Sequence, residues 1–261
     1  MPNTKKRSNT RIFSILGKIS VVLLCIWLSA CSILSKDPNN TDLWDAKKFY
    51  EEAKEAIRIG DYESAINYLE TMEARFPFGV YAQQAQLDIA YSYYKFDEPD
   101  SAIAAADRFI KLYPRHDNVD YAFYLKGLAA YHKGMNVAQG YVSLDATKRD
   151  AQPFIDAFNF LSSLIDKYPD SKYIDDSLQR LVFIRNQLAQ HELNIAEYYF
   201  GRKAYVASVN RGKYILEHFP RTQAVPKALA LMAKAYDALG IEDLADDTRR
   251  VLSLNQPTQQ P

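Results

Sequence analysis

The chain has 261 residues, with 32 basic and 32 acidic side chains, 13% aromatic residues, and only 9 glycines, 11 prolines and 2 cysteines. This composition excludes a collagen-like, disulfide-dense or largely disordered chain, and it supplies enough apolar surface for one or two ordinary domains. The charge is uneven: the first thirty residues hold Lys5, Lys6, Arg7, Arg11 and Lys18 and no acid, so the remainder keeps 27 basic against 32 acidic side chains and offers nothing to a nucleic acid.

Residues 1–18 form a basic n-region, and Val21, Val22, Leu23, Leu24, Cys25, Ile26, Trp27 and Leu28 form an apolar run that ends in Ser29-Ala30-Cys31. The run is shorter than the ~20 residues a membrane span needs, so residues 1–30 read as an export signal. Leu28-Ser29-Ala30-Cys31 resembles the lipobox of bacterial lipoproteins. There the small residues admit a peptidase, and the thiol accepts diacylglycerol before becoming the new N-terminus. The expected mature chain therefore starts at Cys31, bearing an S-diacylglycerol and an N-acyl chain, with no other cofactor and no metal.

Several acyl chains on one residue exceed what stable membrane attachment requires. Ser32 follows the cysteine. In enterobacteria-like sorting an Asp there would imply retention at the inner membrane, so the expected address is the outer membrane, lipid-anchored and facing the periplasm. Residues 31–41, with Asp37-Pro38-Asn39-Asn40, read as the lipidated cysteine and a short polar tether. Cys25 is discarded with the signal, which leaves neither a disulfide framework nor a cysteine metal site.

Beyond residue 42 the chain repeats. Arg75-Phe76-Pro77, Leu112-Tyr113-Pro114, Lys167-Tyr168-Pro169, His218-Phe219-Pro220 and Asn255-Gln256-Pro257 recur at spacings of 37, 55, 51 and 37, two bare periods and two with insertions of 18 and 14 residues. Twelve residues before each proline stands a small residue (Ala65, Ala102, Ala157, Ser208, Ala245), and a second small column precedes it (Ala53, Ala90, Gly127, Ala196, Ala233). This is the tetratricopeptide pattern, with small residues where two helices cross closely and a proline that stops the second helix. The expected fold is all-α, a right-handed superhelical solenoid of five helix pairs.

Local signals agree with that fold. Phe49, Ala53 and Ala56 make one apolar stripe and Ala65, Leu69 and Met72 another. Asp61 is placed as an N-cap, and Pro153 and Pro226 fall in first helical turns. Gly60, Gly134 and Gly240 share the column of the turn between the paired helices. Residues 173–200 can run as one lengthened helix, and the insertion 135–152, with Gly140, Ser143 and Asp145, reads as a loop. Residues 42–169 then hold repeats one to three, and residues 170–261 hold repeats four and five with a short tail.

No catalytic constellation stands out. His116, His132, His191 and His218 lack metal-ligand spacing, and no GxGxxG, Walker A or GxSxG motif occurs, so the chain is not expected to be an enzyme. The charge-rich stretches at 47–55 and 246–250 read as solvated helix faces. On the first helix of each pair, the positions beside the packing stripe should face the concave wall. There the first three units offer Tyr50, Tyr91, Tyr94, Tyr121, Tyr124 and Tyr131, rimmed by Lys54, Arg58 and Lys95. Tyrosine joins apolar area to a polar tip, which suits an extended peptide with aromatic side chains, and the basic rim suits its terminal carboxylate. The same tyrosines would also serve as packing between repeats.

Several segments, Arg75-Phe76-Pro77-Phe78-Gly79 with Gln83-Gln84 and Leu87-Asp88, Ala105-Ala106-Asp107-Arg108-Phe109-Ile110, Arg180-Leu181-Val182-Phe183 and Ala196-Glu197-Tyr198-Tyr199, resemble the BamD-like tetratricopeptide lipoproteins of the outer-membrane β-barrel assembly machinery. The resemblance implies a non-enzymatic scaffold. Its partners would be the periplasmic POTRA repeats of BamA, accessory Bam lipoproteins, and the C-terminal targeting segments of unfolded outer-membrane β-barrel proteins. It also implies docking to BamA through the C-terminal units, where Tyr205, Asn210 and Arg211 match the family's positions. In the third-unit insertion, Asp145-Ala146-Thr147-Lys148-Arg149-Asp150 lacks one arginine the family often carries. Two other readings compete: an envelope-organisation or competence adaptor built on the same repeats, and an envelope hydrolase, for which no nucleophile–base pair is visible.

Overall fold

A computed structural model of the chain describes residues 41–139 and 150–255. From Ala46 onward they form one compact unit. It consists of antiparallel pairs: α1 (Ala46–Ile59) with α2 (Tyr62–Arg75), α3 (Val80–Lys95) with α4 (Pro99–Leu112), α5 (Val119–Gln139) with α6 (Gln152–Lys167), α7 (Ile174–Gly201) with α8 (Tyr205–His218), and α9 (Ala224–Ala238) with α10 (Glu242–Asn255). No strand occurs among the described residues. The chain is thus the helical-repeat solenoid its spacing requires.

The small columns are the crossing points. All ten of their residues are buried, Ala53, Ala65, Ala90, Ala102, Ala157, Ala196 and Ala245 completely. Gly127 marks the tightest approach: a Cβ built there would lie 2.2 Å from Cδ2 of Leu161 on α6. Larger apolar side chains fill the space around each crossing, among them Phe49, Leu69, Met72, Phe109, Leu161, Leu164, Leu193 and Ile215.

Chain reversals repeat as faithfully as the core. Within a pair, the turn holds one residue in the left-handed region: Gly60 (φ 82°), Asp97 (63°), Lys203 (61°) and Gly240 (72°). Each is followed by an N–H that reaches back five residues, from Asp61 to Ala56 O, Glu98 to Tyr93 O, Ala204 to Tyr199 O and Ile241 to Tyr236 O, at 2.9 to 3.0 Å. These are Schellman-type closures, which satisfy carbonyls left open at a helix end. Between pairs, Phe76, Tyr113, Tyr168 and Phe219 donate their N–H groups to the carbonyl four residues back, and the following proline ends the helix. The expected fifth aromatic–proline position, Pro257, lies outside the described residues.

Asp61 caps α2 as expected, its carboxylate accepting the Ser64 N–H at 3.1 Å, and α7 runs 28 residues. The third unit departs from the sequence reading. Gly134 is not in a turn but inside α5, which continues to Gln139, so Met135–Gln139 are helical rather than loop. The glycine is needed there for a close approach, because a Cβ would stand 2.8 Å from the ring of Phe154. Residues 140–149 of the insertion lie outside the described residues.

First helices also touch first helices, α1 on α3, α3 on α5 and α7 on α9. Between α5 and α7 large side chains make the join instead. Tyr131, Phe154 and Phe183 meet edge to face at centroid distances of 5.7 to 6.3 Å, over a core of Ala130, Ala157, Leu161 and Ile184.

Candidate functional site

The expected groove residues lie on α1, α3 and α5, where the alternation of the pairs puts first helices side by side. All six tyrosines are half-buried, so each gives one part of its ring to packing and keeps another part accessible. Three clusters link them along the face.

The first cluster centres on Asp88 of α3, which is only 7% exposed. Its carboxylate accepts the Tyr50 hydroxyl and the Lys54 ammonium from α1, both at 3.2 Å, and the Gln84 amide at 3.0 Å. Such a set of donors is what a buried carboxylate requires. Burial, followed by the neighbouring Asp88 charge, pushes the Tyr50 phenol above its ordinary value, and the Tyr50 ring leans on Tyr81 at 5.1 Å.

In the second cluster the Tyr91 ring meets Tyr62 edge-on at 6.3 Å, and the Lys95 ammonium stands 5.9 Å from the centre of the same Tyr62 ring. Tyr94 meets His132 at 6.1 Å. Tyr91, Tyr94 and Tyr121 pack on the core formed by Ala90, Ala106 and Leu125. Burial raises the phenols of Tyr91 and Tyr121.

The third cluster joins α5 to α7. Tyr124 stacks on Tyr173, centroids 4.5 Å apart and planes 13° apart, and donates its hydroxyl to Asp176 at 2.7 Å. Arg180 grips the same carboxylate with Nε at 2.6 Å and Nη2 at 3.2 Å, and its guanidinium lies 4.9 Å from the Tyr131 ring centre. Burial foremost, and then the hydrogen bond to Asp176, pushes the Tyr124 phenol up to about 12.

The basic rim differs from the sequence expectation. Lys54 is committed to Asp88. Arg58 points along its own helix, with Nε and Nη2 on Glu55 at 2.7 and 2.5 Å, because an acid three residues back on a helix lies within reach of a guanidinium. Lys95 alone of the three has no carboxylate partner among the described residues.

Four contributors were not anticipated from the sequence: Asp88, Tyr173, Asp176 and Arg180. The run Leu87-Asp88-Ile89-Ala90 carried a signal, since an acid inside a buried apolar stretch needs partners. Asp176 and Arg180 sit four apart and looked like an ordinary surface pair.

The C-terminal candidates occupy different environments. Tyr205 begins α8 and packs its ring on Phe200 at 5.4 Å, beside Val209, Met232 and Tyr236. Asn210 is exposed. Arg211 does not stand free for a partner, because its Nη1 donates to Glu192 of α7 at 2.9 Å. Glu192 also walls a cleft of about 410 Å³ between α6, α7 and α8, lined by Ile155, Phe158, Leu188, His191 and Tyr214. Cys31 lies outside the described residues. Among the described residues, no helix is long and apolar enough to cross a membrane, and no group of three or more His, Cys, Asp or Glu could hold a metal. The charge-rich stretches are solvated, with Lys47–Glu51, Lys48–Glu52, Arg249–Asp246 and Arg250–Asp247 pairs along helix faces.

Residues 44–252 match the family described as outer membrane lipoprotein, YfiO. The outer membrane protein assembly factor BamD of Neisseria meningitidis serogroup A is 39% identical over 239 residues, 90% of each chain. BamD of Vibrio cholerae is 34% identical over 208 residues, 80% of this chain and 86% of the relative. BamD of Haemophilus influenzae is 34% identical over 241 residues, 92% of this chain and 90% of the relative.

Proposed function

Because the chain belongs to the BamD family of outer membrane protein assembly factors, we propose that it is a non-enzymatic scaffold, anchored through acylated Cys31 to the outer membrane with its body in the periplasm. Its first three units take the C-terminal targeting segments of unfolded β-barrel proteins. Its last two units dock on the POTRA repeats of BamA and, with them, on accessory lipoproteins.

The observation that carries this reading is the continuous tyrosine face of α1, α3 and α5, half-exposed along its length and tied to the buried carboxylate of Asp88 and to Asp176 of α7. Half-buried phenols offer an incoming aromatic side chain edge and face contacts at little entropic cost, because the rings are already held. Lys95 supplies the charge for a terminal carboxylate, and Lys54 can reach one by leaving Asp88 with its Tyr50 and Gln84 donors.

The test is equilibrium binding of a labelled peptide from a barrel protein's C-terminus to the mature chain, with the same peptide amidated at its end for comparison. Saturable binding that weakens on amidation is expected. Equal affinity for both forms would remove the carboxylate role of Lys95 and Lys54, and no saturable binding would remove the groove.

A further inference from the structure

The turn between α2 and α3 carries an apolar tip that the fold leaves bare. Phe78 and Val80 are each 89% exposed. Backbone chemistry holds them out: Pro77 restricts φ on one side of Phe78, and Gly79, at φ 121°, reverses the chain on the other. The first turn of α3 then closes through the Ala82 N–H to Gly79 O at 3.2 Å.

This tip shares an edge of the solenoid with the start of α1. Phe49 of α1 meets Phe76 of the α2–α3 connection at 6.4 Å, and Tyr50 of α1 meets Tyr81 in the first turn of α3 at 5.1 Å. The antiparallel alternation brings the α4–α5 turn to the same edge, with Leu112 56% exposed. Residues 75–80 and 111–117 present the exposed cations Arg75, Lys111 and Arg115 and the exposed acid Asp117, and two further exposed acids, Asp42 and Asp45, precede α1 in the chain.

Only residues 32–45 separate Cys31 from α1, a length that reaches roughly 50 Å when fully extended. On the reading that Cys31 is acylated, the tether draws in this edge first. The opposite edge lies a further helix length away, about 21 Å for fourteen residues. We infer that the edge bearing Phe78 and Val80 is a bilayer-contact surface: the two side chains enter the interface of an anionic phospholipid leaflet, while Arg75, Lys111 and Arg115 meet its phosphates. A projecting apolar tip among cations is the composition of an interfacial contact, in which apolar area and charge attraction add.

The mature lipoprotein has no free thiol once Cys31 is acylated, since Cys25 leaves with the signal. Phe78→Cys and, on the opposite edge at the start of α10, Glu242→Cys can therefore each carry one environment-sensitive fluorophore. Both proteins are incorporated into vesicles of phosphatidylethanolamine and phosphatidylglycerol, with flotation as the check on the anchor. Spin-labelled lipid is expected to quench the probe at 78 about twofold, because it would sit ~5–10 Å into the headgroup–acyl boundary, and to leave the probe at 242 unchanged. If the protein floats while the probe at 78 is as wet as the one at 242, the edge does not touch lipid and the inference is overturned. Loss of flotation would instead overturn the anchor, and the contact with it.

Discussion

Tyr124 donates its hydroxyl to Asp176 at 2.7 Å across the boundary between the third and fourth units, 52 positions further along the chain. The same carboxylate is held by Arg180, and these hydrogen bonds have a consequence in acid. Burial works against the Asp176 charge, but the hydrogen bonds from Arg180 and Tyr124 outweigh it and hold the carboxyl below its ordinary range. A carboxyl lowered by folding stabilises the fold above its unfolded value, about 3.9, and that contribution disappears as pH falls through the folded value. The melting temperature should therefore fall as pH drops below about 4. Asp176→Asn should melt lower than the parent at pH 7 and show a shallower acid fall. Melting curves from pH 7 to 2.5 decide it, and parallel acid limbs in the two proteins would show that the stabilisation lies elsewhere.

The close crossing at Gly127 gives a stability prediction whose sign opposes helix propensity. Alanine should favour an isolated helix by roughly 0.8–1.0 kcal/mol, yet its Cβ would stand 2.2 Å from Leu161 Cδ2 and 2.6 Å from Cγ. Overpacking of that kind costs about 1–3 kcal/mol, so Gly127→Ala should lower the denaturant midpoint. Gly212→Ala meets the Met232 side chain instead, at 2.4 Å from Cγ. Unbranched methionine can turn aside, and a smaller loss is expected. The order of the two midpoints is the measurement, and Gly212→Ala proving the worse would contradict the role given to the rigid crossing.

In the groove, alanine at Tyr91 and Tyr124 together should weaken binding of a barrel-protein C-terminal peptide more than tenfold, since buried aromatic anchors are worth on the order of 2 kcal/mol each. Lys95→Ala should weaken it modestly and reduce its salt dependence. Tyr124→Phe separates the two roles of that ring, because it keeps the stack on Tyr173 and loses the bond to Asp176. Its expected signature is a lower melting temperature with peptide affinity little changed. If the double alanine variant lost stability but kept its affinity, these tyrosines would be packing residues only.

Arg211 and Glu192 make a prediction about docking in which the two partners behave oppositely. Truncating a charge that pairs across a desolvated interface costs about 2–5 kcal/mol, so Arg211→Ala should weaken co-purification of BamA. Glu192→Gln releases the same guanidinium and should leave docking intact or strengthen it. Equal loss in both variants would mean that the internal pair, rather than a free Arg211, shapes the surface.

Cys31→Ser removes the thiol that accepts lipid. Metabolic labelling should find no lipid on this variant, and the signal should stay uncleaved by the lipoprotein peptidase. Normal outer-membrane fractionation of the serine variant would contradict the anchor.

Much of this architecture is legible in the sequence because its determinants are local and periodic. A small residue twelve positions before each proline marks a crossing wherever it falls, and an aromatic–proline pair stops a helix without help from the rest of the chain. The site was only half legible. The tyrosines could be assigned to a face by helical phase, but the partners that fix them come from other units: Asp88 binds residues 34 and 38 positions upstream, and Asp176 binds Tyr124. Lys54 and Arg58 looked alike in the sequence and differ because only one faces a buried acid. Gly134 misled for a related reason. Its place in the turn column follows from the period, but α5 runs past it to Gln139, and the glycine instead admits the ring of Phe154 from α6.

Each helix in this body leans on its sequence neighbours and on the next first helix, and on little else. Among the described residues α10 packs only on its pair partner α9, and its buried residues are Ala245 and Thr248. Local opening should therefore begin at α10 ahead of the inner helices, since the stability of a stacked array is close to a sum over adjoining layers. Amide exchange should accordingly grade inward, fastest in α10 and slowest in α4 to α6, where helices press on both sides.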